Sequence, residues 1–317
     1  MPYLIKILHA DTNPIHSVLK KQACYRMGKI LKKEPIDMSI RIVTDSTADI
    51  PNEIAAELNI EVVPLNVHFG NDTFKDGIDL TTDAFFNKLI NGPDFPSTSQ
   101  PSIGEFAEVY EKIIEKGDEI VSIHISSKLS GTSNSAHLAA EQLKDNGNIS
   151  IVDTLQASLT VGLTAIAAAK AALAGSTFQE VVNIAESTSE RAELFALLDT
   201  LEYLEKGGRI GKARALVGGL LKIKPLITIS EGEVGEFGKV RSRQAGIQKL
   251  YDSCVEAGKI ESIVVAYSTD KGDALKLANQ LTHVLPDGET PMVARVGPVI
   301  GTHAGPRVIA LGMIKSL

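Results

Sequence analysis

Four segments of the chain gather hydroxyl, amide and imidazole groups in patterns that could hold an anion. They are Thr44-Asp-Ser-Thr-Ala-Asp49, Pro96-Ser-Thr-Ser-Gln-Pro-Ser102, Ser126-Ser-Lys-Leu-Ser-Gly-Thr-Ser133 and Gly297-Pro-Val-Ile-Gly-Thr-His-Ala-Gly-Pro306. Side-chain hydroxyls donate hydrogen bonds without carrying charge. A glycine such as Gly131 lets the backbone approach a ligand closely, and the free N–H groups at a helix start favour negative charge. The fourth segment reads as a tight loop that presents His303 among glycines and prolines. Plain structural roles compete with these. Ser130, Thr132 and Ser133 are also good helix caps, and a lone histidine is ordinarily a solvated or satisfied side chain. Ser102-Ile-Gly-Glu105 has the spacing of a capping box and is assigned a structural role.

Several chemistries lack their signatures. Gly207-Gly-Arg-Ile-Gly-Lys-Ala213 is a near miss of a phosphate-binding loop, with Lys206 in place of the first glycine and Ala213 where a hydroxyl would hold Mg²⁺. No dinucleotide fingerprint, nucleophile elbow or zinc-protease motif occurs, and the seven histidines show no metal-ligand spacing. No metal and no cofactor is expected. A small-molecule enzyme, or a sugar-kinase-like subunit binding a polar acid or phosphate, stays open as the alternative to a binding protein.

The elements that must position these loops follow from periodicity. Runs 40–44, 61–67, 119–125 and 149–153 read as strands, and helical patterns over 52–58, 82–90, 104–116 and 133–144 lie between them. Alternation of this kind predicts a parallel sheet with helices on both faces, its strand ends opening on a common crevice. Longer helices are expected over 155–174 and 177–190. Beyond residue 190 the rhythm changes. Strands are expected at 194–198, 226–229, 233–240, 263–267 and 291–296, with helices at 242–257 and 270–285. The expected architecture is therefore two-domain α/β: a parallel-sheet domain over 38–190 and a mixed-sheet α/β domain over 191–317, with a cleft between them.

Composition narrows the partners. The 317 residues carry a formal charge of −7, with 5% aromatics and no Trp. Such a chain is poorly suited to nucleic acid, which asks for basic surfaces and stacking platforms. Two cysteines and no CxxC suit a reducing compartment, and the first residues lack a secretory pattern, so a cytoplasmic location is expected. Residues 1–37 stand apart. They hold seven Lys/Arg against three acidic residues, leaving −11 for the rest, and Ile15, Val18, Leu19, Met27, Ile30 and Leu31 fall at helical spacing. They read as an extension ahead of a natural start at Met38. A basic amphipathic helix there could make transient contact with a membrane surface. The apolar run 155–173 contains Lys170 and reads as a buried helix, not a membrane span.

Six motifs occur in one order: Thr44-Asp-Ser, Thr98-Ser-Gln-Pro-Ser102, Ser126-Ser-Lys-Leu-Ser-Gly-Thr132, Leu201-Glu-Tyr-Leu-Glu-Lys-Gly-Gly-Arg-Ile210, Lys224-Pro225 and Gly301-Thr-His-Ala-Gly-Pro306. Over residues 38–317 this order resembles the DegV family. One motif alone would be weak; all six in sequence are specific. The resemblance implies a two-domain α/β fold that binds a long-chain fatty acid. It also implies a role as the lipid-binding subunit of bacterial fatty acid kinase. A separate kinase catalytic subunit would then convert the bound acid to an acyl phosphate for phospholipid synthesis, and this chain would not be an enzyme on its own. By the same resemblance, Thr98, Ser130 and His303 hold the carboxylate, with Ser99 and Gly131 beside them, and Arg209 meets the kinase. Arg307 departs from the family, which has a small residue after Gly-Pro. The tail is expected to lie along 155–173, Ile210 and 216–221, where small and branched apolar residues could leave a channel.

Overall fold

Strand β1 (Ile40–Asp45) is followed by a 3-10 turn at Ser46–Ala48 and helix α1 (Asn52–Glu57). Next come β2 (Ile60–Val63), β3 (Asn66–Phe69), β4 (Asp72–Lys75), α2 (Thr82–Asn91), β5 (Ser97–Ser99) and α3 (Ile103–Ile114). β6 (Glu119–His124), α4 (Thr132–Leu143), β7 (Ile149–Asp153), α5 (Leu159–Leu173) and α6 (Phe178–Glu190) follow. The later part holds β8 (Ala192–Leu197), α7 (Glu202–Lys206), a 3-10 turn at Gly211–Leu216, β9 (Lys224–Ser230) and β10 (Glu233–Val240). It closes with α8 (Arg243–Glu256), β11 (Ile260–Tyr267), α9 (Lys271–Leu281), β12 (Met292–Arg295), α10 (Pro298–Ala304) and β13 (Ile309–Lys315). This computed structural model describes residues 39–216 and 223–317. What was expected of residues 1–37, and the 217–221 part of the expected tail channel, lies outside them.

The first sheet is parallel, in the order β2-β1-β6-β7. Ile42, Val121, Ile123 and Val152 pack on the small residues of α5, among them Val161, Ala165 and Ala168. On the other face Val43 and Ile120 lie under Phe106 and Tyr110 of α3 and Ala136 and Ala139 of α4. Parallel strands buried on both faces need continuous apolar runs, which is why these segments were legible. The second sheet is mixed, in the order β10-β9-β8-β13-β11-β12, with only β11 and β12 parallel. Leu250 and Cys254 of α8 and Leu277 of α9 cover one face. The opposite face presents Leu194, Ala196, Ile227 and Ala310 toward Leu159 and Leu163 of α5. Strands of the first sheet all precede residue 154 and those of the second all follow residue 191, while Ser39–Leu317 forms one compact unit.

Several expectations are corrected. The expected strand 61–67 is two strands in two sheets, because Pro64 has no N–H to continue the ladder and the chain leaves the parallel sheet there. β3 then joins β4 and β5 in a three-stranded antiparallel sheet, so part of the second hydroxyl segment is itself a strand. The helix expected from 155 starts at Leu159, because Leu155 and Ser158 both adopt positive φ. Helix 270–285 ends at Leu281 and tightens into a 3-10 turn at Thr282–Val284. The segment read as a tight loop is helix α10, with Pro298 at its first turn and Gly305 at φ 80° ending it. β13 was not foreseen, yet it lies between β8 and β11 at the centre of the second sheet.

The capping box at Ser102 is present. Its Oγ accepts from Glu105 N at 3.2 Å, and Glu105 accepts from Ser102 N at 2.7 Å. Ser102→Ala is expected to cost about 1 kcal/mol of stability, read as a lower urea midpoint at unchanged slope.

Candidate functional site

A cleft lined mainly by apolar side chains runs between the second sheet and the loops that end the first one. Its floor and walls are apolar. Leu194, Ala196 and Leu198 come from β8 and the residue after it, Ile227 and Ile229 from β9, and Ala310 from β13. Val299, Ile300 and Ala304 of α10 line another side, with Ile125 and Leu129 from the loop after β6. Period-2 alternation explains the β8 contribution: alternate residues of an open-faced strand face the same way. Polar lining groups gather around the Thr98–His303 contact, with Ser99, Gln100, Ser130 and Arg209 beside it, and Thr47 and Ser158 add further polar groups to the lining.

Three separate stretches of chain build that polar end. β5 pairs with β3, Thr98 opposite Val67, and Thr98 Oγ1 lies 2.9 Å from His303 Nε2. α10 carries His303 in its last turn. Ser130 precedes α4, whose N-cap is Gly131 without a side-chain cap. Ser130 Oγ instead accepts from Thr132 N at 3.3 Å and lies 2.8 Å from Thr132 Oγ1. The structure thus brings Thr98, Ser130 and His303 to one cavity. Ser99 also lines it, but its hydroxyl is 3.0 Å from His68 Nε2 and 3.2 Å from Asn66 Nδ2. Gly131 is not on the cavity wall. A Cβ there would stand 2.8 Å from the Gln100 amide, so its place is to let Gln100 close over the loop.

His303 is held in an unusual setting. Its Nδ1 is buried without a hydrogen-bond partner, and it lies so close to Gly207 that any Cβ at that position would collide with the ring. Burial, and secondarily the Arg209 charge, push its pKa down to about 4, so the ring is neutral at pH 7. Orphaned buried N–H groups are rarer than under-satisfied acceptors, which places the ring proton on Nε2. Nε2–H then donates to Thr98 Oγ1, and the Thr98 proton is free to turn to an anion in the cavity. Arg209 is exposed at the same end, donating Nη1 to Gly207 O at 2.9 Å and Nε to Leu129 O at 3.3 Å. It bridges two loops and still leaves guanidinium edge facing solvent.

Other expected contributors lie elsewhere. In the first hydroxyl segment, Thr44 donates to Ile123 O at 2.7 Å, and Thr47 N and Oγ1 both donate to buried Asp45. Those groups hold the loop together, and only Thr47 reaches the cavity. The expected tail channel is also corrected. Only Ala157 and Ser158, just before α5, line the cavity; Ile210 and the body of α5 are packed in core clusters. Arg307, the departure from the family pattern, faces outward, 3.8 Å from Asp199. The strand residues of the wall escaped the sequence because ordinary core alternation and a cavity wall share one pattern. Among the described residues no cluster of metal-ligating side chains occurs, and no helix is long and apolar enough to cross a membrane.

Comparison with known proteins matches this architecture. A family model described as uncharacterised protein, DegV family, matches residues 39–316. A DegV domain-containing protein of Clostridium acetobutylicum is 34% identical over 281 residues, covering 86% of this chain and 97% of the relative. A solved structure described as fatty acid binding of a DegV family protein from Thermus thermophilus superposes with a TM-score of 0.82 at 35% identity, over 88% of this chain and 100% of that one. A stearic acid-binding protein from Eubacterium ventriosum gives a TM-score of 0.78 at 29% identity, over 86% and 97%. With the match spanning nearly all of the described chain, this protein belongs to the DegV family.

Proposed function

We propose that this chain binds a long-chain fatty acid in the cavity, tail along the β8, β9 and β13 wall and carboxylate at Thr98, Ser130 and His303. The observation that carries this is the shape of the polarity: an apolar wall that ends at one clustered set of neutral donors. The fatty-acid binding of structural relatives supports it. Burying methylenes contributes about 0.8 kcal/mol each, hence about 11 kcal/mol gross for a 16-carbon chain, against which association costs stand. Hydrogen bonds to a charged head add about 1.5–3 kcal/mol each. The tail sets most of the affinity, and the head-group residues fix where the carboxylate rests. A sugar or polar phosphate would leave most of this wall unmatched, which disfavours the alternative. Native mass spectrometry of freshly purified protein is expected to show an added mass equal to a long-chain fatty acid. A nucleotide or sugar phosphate in its place overturns the proposal.

The finer role is the one the family resemblance implies, and the position of the head is compatible with it. A carboxylate at the Thr98 end lies beside exposed Arg209, where a second protein can reach it. On this reading the chain presents the acid to a separate kinase subunit, which forms the acyl phosphate. Ser130→Ala, by losing one contact to a charged head, and His303→Ala, by losing the bond that orients the Thr98 hydroxyl, are each expected to weaken lipid binding about 5- to 150-fold. At saturating lipid, turnover by the kinase pair should still fall on the order of 100-fold, because a reacting oxygen misplaced by about 1 Å loses that much rate. Wild-type turnover from both variants would move the head-group site elsewhere. Arg209→Ala is expected to keep lipid affinity within about threefold and to slow the partner-dependent reaction. If it instead lowers the melting temperature or empties the cavity, its bonds to Gly207 O and Leu129 O are its whole role.

A further inference from the structure

Two carboxylates behind the cavity wall are not used by the site as described. Asp49 follows the 3-10 turn after β1, and Asp76 follows β4. Asp49 Oδ1 accepts from Gly297 N at 2.8 Å and Oδ2 from Ser158 Oγ at 2.5 Å. Asp76 lies near the Ser46 hydroxyl and Val299 N, which pull its pKa down against burial. Gly297 is the N-cap of α10 and Val299 lies in its first turn. Both carboxylates therefore lie against the start of the helix whose last turn carries His303. The approach is close: a Cβ at Gly297 would stand 3.0 Å from Asp49 Oδ1 and 3.7 Å from Asp76 Oδ1. At its other end the same helix meets Gly207, which leaves the His303 ring no room on that side. About one helical turn, from Val299 to His303, separates the two clamps, so a shift at the first is carried to the imidazole.

We infer that Asp49 and Asp76 are positioning residues for the head group: with Asp49 holding Gly297 N and Asp76 set against the same N-cap, they fix where His303 meets Thr98. They act through α10 and touch no ligand. The charged groups around them are Asp45, bonded to His124 of β6 at 2.9 Å, and Arg295 of β12, bonded to Asp83 at 2.7 Å. Arg295 is therefore spent on Asp83 and not on the pair. Burial raises Asp49 to about 8 and Asp76 to about 7, against the lowering effect of their hydrogen bonds, and the neighbouring carboxylates add to the rise. The folded protein thus holds these protons more tightly than the unfolded chain. The pair's contribution to stability is full at acid pH, below the ordinary carboxylate range, and is lost as pH rises through about 7 to 8. Ionisation also sets unpaired negative charge behind the wall of a cavity proposed to receive a carboxylate, so affinity should fall over the same interval.

Asparagine reproduces the protonated acid: its Oδ1 can accept from the backbone N–H and its Nδ2 can donate to the serine. The test compares the full chain with the double variant Asp49→Asn, Asp76→Asn. Affinity for a fluorescent 16-carbon fatty acid is titrated from pH 6 to 9, and the histidine ring ¹⁵N signals of ligand-free protein are followed over the same range, His303 assigned by its loss in His303→Gln. Wild type is expected to lose about tenfold in affinity across the range, with the His303 signals moving in step. The double variant should stay within about twofold, its His303 signals fixed. A variant that keeps the wild-type pH profile in both readouts overturns the inference. The affinity readout rests on the fatty-acid reading; the ring signals do not. If wild type binds no fatty acid while its His303 signals still titrate and those of the variant do not, that reading falls and the positioning role stands. If the double variant does not fold, Gly297→Ala keeps both carboxylates and sets a methyl against Asp49. Displaced His303 signals then support the inference, and unmoved ones overturn it.

Discussion

A short helix wedged between two sheets is the constraint on which the rest of this structure depends. α10 spans only Pro298–Ala304, too short to hold its shape alone. Its N-cap N–H at Gly297 is held by Asp49, with Asp76 packed close by, and its middle packs on Phe85 and Phe86 of α2, where a Cβ at Gly301 would stand 2.8 Å from both rings. Its last turn puts His303 against Gly207. Each contact comes from a different stretch of chain, so the helix exists only when the loops of the first sheet and the α7 region are already in place. The cavity inherits its geometry from that arrangement, since Val299, Ile300, His303 and Ala304 all face it.

Separation of apolar wall from polar end follows from the sheet itself. On β8 and β9, the residues that face away from α8 and α9 are Leu194, Ala196 and Ile227, and α5 covers only part of them. The uncovered part is the cavity. No ionised side chain has to be buried along it, which spares the cost of desolvating a charge. Arg209, the cation beside the Thr98–His303 pair, is exposed and keeps its hydration, while the neutral pair leaves the Thr98 hydroxyl free to donate. Neutral donors at a partly buried site avoid the desolvation penalty that a buried cation would carry.

Buried polar groups elsewhere stabilise the loops. Asp45 accepts from Thr47 N, His124 Nδ1 and Ile125 N, and the chain of bonds runs on through Ser122 to Tyr110 at 2.8 Å. All of these side chains are fully buried. Such a network costs little only when every member is satisfied, and it fixes the turn after β1 from which Thr47 reaches the cavity and Asp49 reaches α10.

Continuous apolar runs and caps are local facts, and they were legible: the strands of the parallel sheet, the helices around it, the capping box at Ser102 and the spacing of the motifs that mark the family. The segments that supply Thr98, Ser130 and His303 were also visible as hydroxyl and histidine clusters. Their meeting was not, because residues 98, 130 and 303 are brought together only by the closure of three separate elements. β13 went unseen because a central strand between two others shows no amphipathic period and follows a Gly-Pro turn. α10 looked like a loop, since its glycines and prolines oppose helix formation locally and only the surrounding side chains make room for it. Asp49 closed the first hydroxyl segment with nothing to show its role, and Asp76 carried no signal. Their sequence neighbours are polar turns, and what makes them matter is a backbone more than 200 residues away that arrives to donate its hydrogen bonds.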